Sequence, residues 1–242
     1  MSQHTVAPVH VTLLGVDIVA FGARTNPEQL AVRNSLYALL STAFDSAGVP
    51  WDRCYHEDRG DGALIAVGAD VPKTTLLGPV LDRLVASVSV APPPLRLKVS
   101  VHAGEVHRDP NGIAGYDVNH TFRLLESDLV RHALAGTDAD CAVIVSDSVY
   151  QSVVRHGPTA AEYDRARIKN KEDESHAWLR LPGLPDGAHL AVARYEHELR
   201  RRQEDDAAAA QSPGVHIRAS GNVTLDHSTV SGRDTTLGRR RK

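Results

Sequence analysis

Apolar and polar positions follow two different periods along the first part of the chain. The run VHVTLLGVDI, from Val9 to Ile18, is rich in β-branched residues and predicts a buried strand with Asp17 at its end. The stretch EQLAVRNSLYALLSTAFDSAG then carries apolar residues every three or four positions. This spacing predicts a helix with Asn26 as its N-cap and Gly48 at its end.

A hairpin and a second helix–strand unit follow. The arms WDRCYHED and ALIAVGA flank the turn Arg59-Gly60-Asp61-Gly62, whose glycines permit positive φ and whose tip holds Asp61. A helix is predicted over residues 73–88, and LRLKVSVHAGEVH alternates like a strand. The order βαββαβ predicts an α+β fold of the ferredoxin-like, split βαβ type. Asp17 and Asp61 are then expected at strand or hairpin ends, outside the core.

The rest of the chain adds further β and α elements to this prediction. Residues 118–135 are typical of a helix with a break, CAVIV of a buried strand, and SDSVYQSVV of a short helix capped by Ser146. These elements are expected to extend the same sheet layer, and a charged helix is predicted over residues 191–206. We therefore divide the chain into a domain at 1–185, a charged helix and linker at 186–213, and a Gly/Val/Thr-rich basic tail at 214–242. The tail is expected to be either disordered or β-forming.

Composition narrows the functional classes. The chain has 242 residues, 42% of them hydrophobic, and a net charge of -3, which fits one sizeable core and disfavours nucleic-acid binding by the whole surface. No stretch approaches the roughly 20 apolar residues of a membrane span, and the first residues lack the pattern of a signal peptide. Cys54 and Cys141 are far apart, and the histidines lack zinc-type spacing. A cytoplasmic protein without a zinc site is therefore expected.

Two pairs of residues are candidates for chemistry. Asp17 and Asp61 can converge at one end of the predicted sheet, and convergent carboxylates bind hard cations such as Mg²⁺. Asn119 and Arg123 are four apart on a predicted helix and so share one face, where an amide and a guanidinium can bind a triphosphate. Spacing alone leaves the alternatives open: a capping and a turn aspartate for the first pair, a solvated helix face for the second.

Four segments also resemble, in the same order, the catalytic domain of class III nucleotidyl cyclases: VTLLGVDIVAFG, RGDGALIAV, VSVHAGEV and GYDVNHTFRLLES. The resemblance covers roughly Val9 to Leu181. It implies that Asp17 and Asp61 hold two Mg²⁺ or Mn²⁺ ions, that Asn119 positions the ribose, and that Arg123 stabilises the pentavalent phosphorus. It further implies a homodimer, because the two pairs would meet across a cleft between two copies of the chain.

The resemblance departs from the family at the positions that recognise the base. Glu57 stands where adenylate cyclases have a lysine, and Gly112 stands where they have an aspartate. A glutamate at the first position resembles guanylate cyclases, since a carboxylate can accept from guanine N1–H and N2–H. Gly112, however, offers no side chain, so pyrimidine nucleotides or the absence of turnover remain open, and Glu57 is alternatively a solvated strand residue.

The function expected from these observations is conversion of a nucleoside triphosphate, GTP or a pyrimidine nucleotide rather than ATP, to a 3′,5′-cyclic nucleotide in signalling. The alternative is a catalytically inactive cyclase-homology scaffold that binds nucleotide or a partner in a signalling or conflict system. The chain also looks like a cyclase-homology group common in actinobacteria. The tail contains an imperfect repeat, SGNVTL at Ser220 and SGRDTTL at Ser231, whose composition resembles short amyloid-like signalling motifs. The tail is therefore a candidate for β-type assembly or for contact with a protein partner, with a disordered basic tail as the alternative.

Overall fold

A computed structural model describes residues 7–169, 174–184 and 186–211 of the chain. The predicted tail at 214–242 lies outside these residues. The contacts between Cα atoms divide the chain into two units, residues 1–202 and residues 203–242. In the second unit the described part, 203–211, is helical. Within the described ranges, no helix is both long and apolar enough to cross a membrane.

Eight strands and seven α-helices make up the described chain. The strands are β1 (Val9–Ile18), β2 (Tyr55–Asp58), β3 (Gly62–Gly68), β4 (Leu97–Asp109), β5 (Gly112–Ala114), β6 (Cys141–Ser146), β7 (Asp164–Lys169) and β8 (Glu174–Arg180). The helices are α1 (Asn26–Ser46), α2 (Lys73–Thr75), α3 (Leu81–Val88), α4 (Tyr116–Leu125), α5 (Asp128–Ala135), α6 (Asp147–Ser152) and α7 (Gly187–Gln211). A π-helical turn, Leu76–Val80, joins α2 to α3.

The strands form one sheet in the order β2-β3-β1-β4-β6-β8-β7, and β5 pairs with the end of β4. Its first four strands have the order and antiparallel pairing of the ferredoxin-like fold, which confirms the predicted α+β class. The predicted strand CAVIV is β6, and it extends the sheet by pairing parallel to β4. The hairpin β7–β8, which the sequence pattern did not predict, completes the far edge.

The two faces of this sheet pack differently. Even-numbered residues of β1 and odd-numbered residues of β4 point into the main core, where α1 and α3 cover them. The opposite face is covered by α4 near β1 and β4, and by α5 and α7 near β6, β8 and β7. We call the first the core face and the second the α4 face. Asp17, Lys98 and His102 all lie on the α4 face, because the period of a strand is two.

Two details differ from the sequence prediction. The N-cap of α1 is Thr25, and not Asn26, because Thr25 and Glu28 form a capping box in which the Thr25 N–H donates to the Glu28 carboxylate at 2.7 Å. Asp17 is only 8% exposed, so it does not lie outside the core as expected. Strand β4 covers it from one side, because β1 continues its pairing with β4 through Ile18.

Candidate active site

The end of β1 and the β2–β3 turn bring the two predicted metal-binding aspartates together. Asp17 is paired in the sheet with Gly62, the residue after Asp61. The Ile18 N–H donates to the Asp61 carbonyl at 2.9 Å, which fixes the turn against the end of β1. Gly62 is required there, because a Cβ would overlap the Val16 carbonyl oxygen. The structure thus places Asp17 and Asp61 side by side, one buried and one exposed.

Lys98 is the immediate partner of Asp17. It lies opposite Asp17 on β4, and its ammonium forms an ion pair with the Asp17 carboxylate. The same ammonium contacts the Glu126 carboxylate, just past the end of α4, at 3.1 Å. The sequence analysis missed Lys98. The sequence could have indicated Lys98, because it lies four residues before His102 on β4 and therefore on the same face of that strand. Once β1 pairs with β4, this face also carries Asp17.

The charges at this end of the sheet act on one another. Burial raises the pKa of Asp17 to about 6; Lys98 opposes the shift, whereas Asp61 and Glu126 reinforce it. Burial alone would lower the pKa of Lys98, but the hydrogen bonds and charges of Asp17 and Glu126 outweigh it and raise that pKa. The cluster therefore holds three carboxylates against one ammonium.

The excess of negative charge at this end of the sheet bears on whether a divalent cation fits there. A hard cation takes carboxylate oxygens as ligands, and it would relieve the repulsion between Asp17 and Asp61. Among the described residues, no three side chains of His, Cys, Asp or Glu lie close enough together to hold a metal by themselves. Two carboxylates suit an ion that takes its other ligands from water and substrate phosphates, and so the residues present fit Mg²⁺ or Mn²⁺.

Helix α4 carries the second predicted pair. Its residues Val118, Thr121, Leu124 and Leu125 are buried against the sheet. Asn119 is exposed and Arg123 half-buried, so this pair points away from the sheet of its own chain. The Arg123 guanidinium carbon lies 5.9 Å from the centre of the Tyr116 ring. The structure therefore does not bring Asn119 and Arg123 onto the side of α4 that faces Asp17 and the sheet.

A chain of hydrogen bonds, buried at its His102–Ser146 end, holds the start of α4 on the sheet. His102 Nε2 lies 2.9 Å from Asp117 Oδ1, and its Nδ1 lies 2.8 Å from Ser146 Oγ. The other Asp117 oxygen accepts the Glu105 N–H at 2.7 Å. Gly104 makes room for this, because a Cβ there would overlap the Asp117 carboxylate. These residues position α4, and the VSVHAGEV and GYDVN segments of the sequence contained them without showing their contact.

The two positions at which the sequence departs from the cyclase pattern also meet. Any Cβ at Gly112 would overlap the Glu57 carboxylate and lie 2.7 Å from the Tyr55 hydroxyl. The Glu57 carboxylate accepts from the Tyr55 hydroxyl, from the Ile113 N–H at 3.3 Å and from Arg59 Nη2 at 2.6 Å. Burial first, and then the bond to Glu57, raise the pKa of Tyr55 to about 12, so this hydroxyl stays a donor.

Comparison with known proteins places the fold. No family model matches the sequence, and no curated protein is detectably similar to it. Solved structures do match. The guanylate cyclase domain of RhGC from Catenaria anguillulae, in complex with GTP, is 18% identical with a TM-score of 0.51 over 71% of this chain and 96% of that chain. The adenylate/guanylate cyclase/hydrolase from Silicibacter pomeroyi is 18% identical with a TM-score of 0.53 over 73% and 98%.

A third structure, the guanylyl cyclase Cya2, matches at 18% identity with a TM-score of 0.52 over 72% of this chain and 92% of that chain. Each of these domains is covered almost completely, whereas more than a quarter of this chain lies outside the match. The chain therefore has the fold of the class III nucleotidyl cyclase catalytic domain.

Proposed function

We propose that the protein is a nucleotidyl cyclase, which converts a nucleoside triphosphate to a 3′,5′-cyclic monophosphate and pyrophosphate for signalling. In this reaction the ribose 3′-oxygen attacks the α-phosphorus, loses its proton, and displaces the β-phosphate oxygen. The observation that carries the proposal is that Asp17 and Asp61 lie side by side at one end of a cyclase-type sheet whose α4 carries Asn119 and Arg123. GTP or a pyrimidine nucleotide is the proposed substrate, because Glu57 and Gly112 replace the adenine-reading pair.

Each group has a defined part in the proposed mechanism. Asp17 and Asp61 would hold two Mg²⁺ or Mn²⁺ ions, which when bound lower the pKa of the 3′-hydroxyl and neutralise the triphosphate. Asn119 would fix the ribose so that its 3′-oxygen faces the α-phosphorus. Arg123 would meet the negative charge that develops on the equatorial phosphoryl oxygens, as arginines do in other phosphoryl transfers.

The orientation of α4 supports a site shared between two copies. Asn119 and Arg123 face away from the sheet that carries Asp17 in the same chain, because Thr121, Leu124 and Leu125 occupy the sheet side of the helix. A second copy, packed against the α4 face, would supply the missing half of each site. A symmetric homodimer of this kind has two equivalent sites at one interface.

A product assay tests the cyclase proposal. The purified chain is incubated with ATP, GTP, CTP or UTP and Mn²⁺, and the products are identified by mass spectrometry. A cyclic monophosphate is expected from at least one nucleotide, and Asp61→Asn should abolish it while the melting temperature stays the same. A folded protein that forms no cyclic product from any of the four would overturn the proposal.

Complementation tests the shared site. Asp61→Ala and Arg123→Ala are each expected to be inactive alone. After subunit exchange, half of the dimers are mixed and each of these has one intact site, so roughly a quarter of the wild-type activity should return. A mixture that stays inactive, although exchange is demonstrated by mass spectrometry of labelled subunits, would place Arg123 and Asp61 in the same chain's site.

One observation favours a second candidate function, a scaffold without turnover. Lys98 already supplies Asp17 with a cation partner, and the Glu57 carboxylate is already bound within the chain. A cyclase-fold scaffold would bind a nucleotide or a protein partner and leave it unchanged. The product assay separates the two, since the scaffold retains nucleotide binding and forms no cyclic product.

The tail at 214–242 is proposed as the segment that recruits a protein partner, and its deletion should leave the domain folded.

A further inference from the structure

Strand β2 presents a cradle of side chains on the α4 face, at the place where a nucleobase would lie if the proposed function holds. We define the base cradle as Tyr55, Glu57, Arg59, the backbone at Gly112 and Ile113, and the ring of Phe122. The Arg59 guanidinium carbon lies 4.9 Å from the centre of the Phe122 ring, which belongs to α4. Arg59 therefore links the hairpin to the helix that carries Asn119 and Arg123.

The bonds within the cradle use up most of the acceptor capacity of Glu57. A carboxylate has about four lone-pair sites, two on each oxygen. Oε1 accepts from the Tyr55 hydroxyl and from the Ile113 N–H, which fills both of its sites. Oε2 accepts from Arg59 Nη2, which leaves one site on that oxygen. Glu57 can therefore accept one further N–H donor without losing an internal bond.

This count of acceptor sites changes how well Glu57 is expected to recognise guanine. Recognition of guanine by a carboxylate alone uses two donors, N1–H and N2–H, and so needs two acceptor sites. With one site left on Glu57, one of the two guanine donors would lose its bond to water without replacement. An unsatisfied donor in a binding site carries a free-energy penalty, which disfavours GTP at this cradle.

Arg59 supplies the donors that Glu57 lacks. A guanidinium has five N–H donors in a planar fork, and the contact with Glu57 engages only one of its three nitrogens. The Arg59 side chain is 40% exposed, so a ligand can reach it. Glu57 and Arg59 together therefore offer one acceptor beside a fork of donors, all held in place by Phe122 and by the ion pair.

We infer that Arg59, held by Glu57, is the residue that reads the base, and that the Glu57–Arg59 pair selects cytosine. The hydrogen-bonding edge of cytosine presents the N4–H donor, the N3 acceptor and the O2 acceptor in sequence. This edge is the complement of one carboxylate acceptor next to two guanidinium donors. The inference rests on the proposed function, and it names CTP as the substrate of that site.

The other three bases leave groups unmatched at such a pair. Uracil gives its N3–H to the carboxylate but places one carbonyl on each side of it, so a fork on one side reaches only one of them. Adenine offers one donor and one adjacent acceptor, and guanine has the surplus donor described above. Cytosine alone uses the acceptor and both arms of the fork. The Gly112 side of the cradle, which Glu57 and Tyr55 fill, leaves no room for a side chain that would add another contact.

Binding measurements test the inference without requiring turnover. Equilibrium dialysis of the full-length chain with CTP, GTP, UTP or ATP is carried out in the presence of Ca²⁺. CTP is expected to bind best, and Arg59→Lys, which keeps the charge and removes the fork, should weaken CTP binding about 10-fold to 100-fold while affecting the other nucleotides less. Arg59→Gln should act in the same direction, and melting temperatures confirm that both variants fold.

The matched control is Arg33→Lys. Arg33 forms an ion pair with Asp58, the residue directly before Arg59 on the hairpin, and its side chain is 34% exposed. Asp58 follows Glu57 on β2 and so points to the opposite face of the sheet. Arg33→Lys thus removes a guanidinium–carboxylate pair of similar exposure outside the cradle, and the preference for CTP should be unchanged.

The outcomes separate this inference from the cyclase proposal. A CTP preference that Arg59→Lys abolishes and Arg33→Lys retains supports the inference, even if no cyclic product forms and the cyclase proposal fails. A cyclase that prefers another nucleotide, or whose preference survives Arg59→Lys, overturns the inference and leaves the cyclase proposal standing. A folded protein that binds none of the four nucleotides overturns the inference as well.

Discussion

Strands β1 and β4 present different kinds of side chain on the two faces of the sheet. On the core face, β1 and β4 contribute Leu14, Val16, Val99 and Val101, all buried in one apolar cluster with α1 and α3. On the α4 face, the alternate residues of these strands include Asp17, Lys98 and His102, which are also buried but polar. A burial value alone does not tell the two faces apart. The partner of each side chain does: it is apolar for these four core-face residues and charged or hydrogen-bonded for Asp17, Lys98 and His102.

The comparison separates the residues that stabilise the fold from those that are proposed to carry the chemistry. Apolar burial on the core face contributes about 25 cal/mol for each Å² removed from water. The α4 face also buries apolar residues, but at the end of β1 it holds charges close together. Substitutions on the core face should therefore lower stability and leave chemistry intact, whereas substitutions on the exposed side of α4 should do the opposite.

The largest expected effect is on the proposed chemistry at the exposed side of α4. Arg123→Ala should lower kcat about 10³-fold, or roughly 4 kcal/mol in activation free energy, because a guanidinium would no longer meet the transition-state charge. The melting temperature should change little, since Arg123 is only half-buried. Arg131→Ala, on the neighbouring helix α5 and paired with Asp128, is the control and should retain activity. Initial rates of cyclic nucleotide formation decide it; equal losses in both variants would remove the special role of Arg123.

The next effect concerns the core face and is a loss of stability. Leu36→Ala should lower the free energy of unfolding by about 3 kcal/mol, because Leu36 of α1 is fully buried in the main core and truncation of its side chain leaves a cavity. Leu30→Ala on the same helix is the control; Leu30 is 63% exposed and should cost less than about 0.5 kcal/mol. Urea unfolding measures both. Similar losses in the two variants would contradict the assigned core.

A smaller effect tests how closely α4 lies on the sheet. Gly104→Ala should lower the free energy of unfolding by about 2 kcal/mol, because the added Cβ overlaps the Asp117 carboxylate and pushes the start of α4 outward. Gly22→Ala adds the same methyl group where no atom lies within 4 Å, and should be nearly neutral. Urea midpoints compare the two. If the Gly104 variant is as stable as the Gly22 variant, the hydrogen bonds of Asp117 to His102 and Glu105 on β4 do not hold α4 in place.

The smallest effect is a pH dependence of stability at Asp17. A carboxyl whose pKa is higher in the folded chain stabilises the fold at low pH, and this contribution disappears as the pH rises through the folded value, about 6 for Asp17. Lys98→Met removes the ammonium that opposes this shift, so the pKa of Asp17 should rise further. The variant should therefore lose about 1 kcal/mol more than wild type between pH 5 and pH 8. Urea unfolding at four pH values measures it, and parallel curves would show that Lys98 does not compensate Asp17.

The outcome for individual elements shows what a sequence pattern can predict. Strand β1 and the β2–β3 turn were predicted correctly, because their signals are local: a β-branched run and a glycine-flanked turn. The cap of α1 was misplaced by one residue, since Thr25 and Asn26 are both good caps and only the Glu28 contact distinguishes them. The β7–β8 hairpin was missed. The first strand, DRARIK, alternates, but half of its residues are Arg or Lys, and the second, ESHAWLR, does not alternate regularly. Pairing of β8 with β6 stabilises the hairpin.

The sequence by itself determined the order of elements, the alternation that gives the sheet two faces, and the residue types available for chemistry. Those properties depend on neighbours within a few positions, where periodicity and turn preferences act. Only the tertiary structure decided that Lys98 forms an ion pair with Asp17 and that Arg59 donates to the Glu57 carboxylate. It also decided that the Asp117 carboxylate packs against β4 in the space that Gly104 leaves. These contacts depend on strand register and on how closely α4 packs, and register is fixed by the fit of the whole core rather than by any local run of residues.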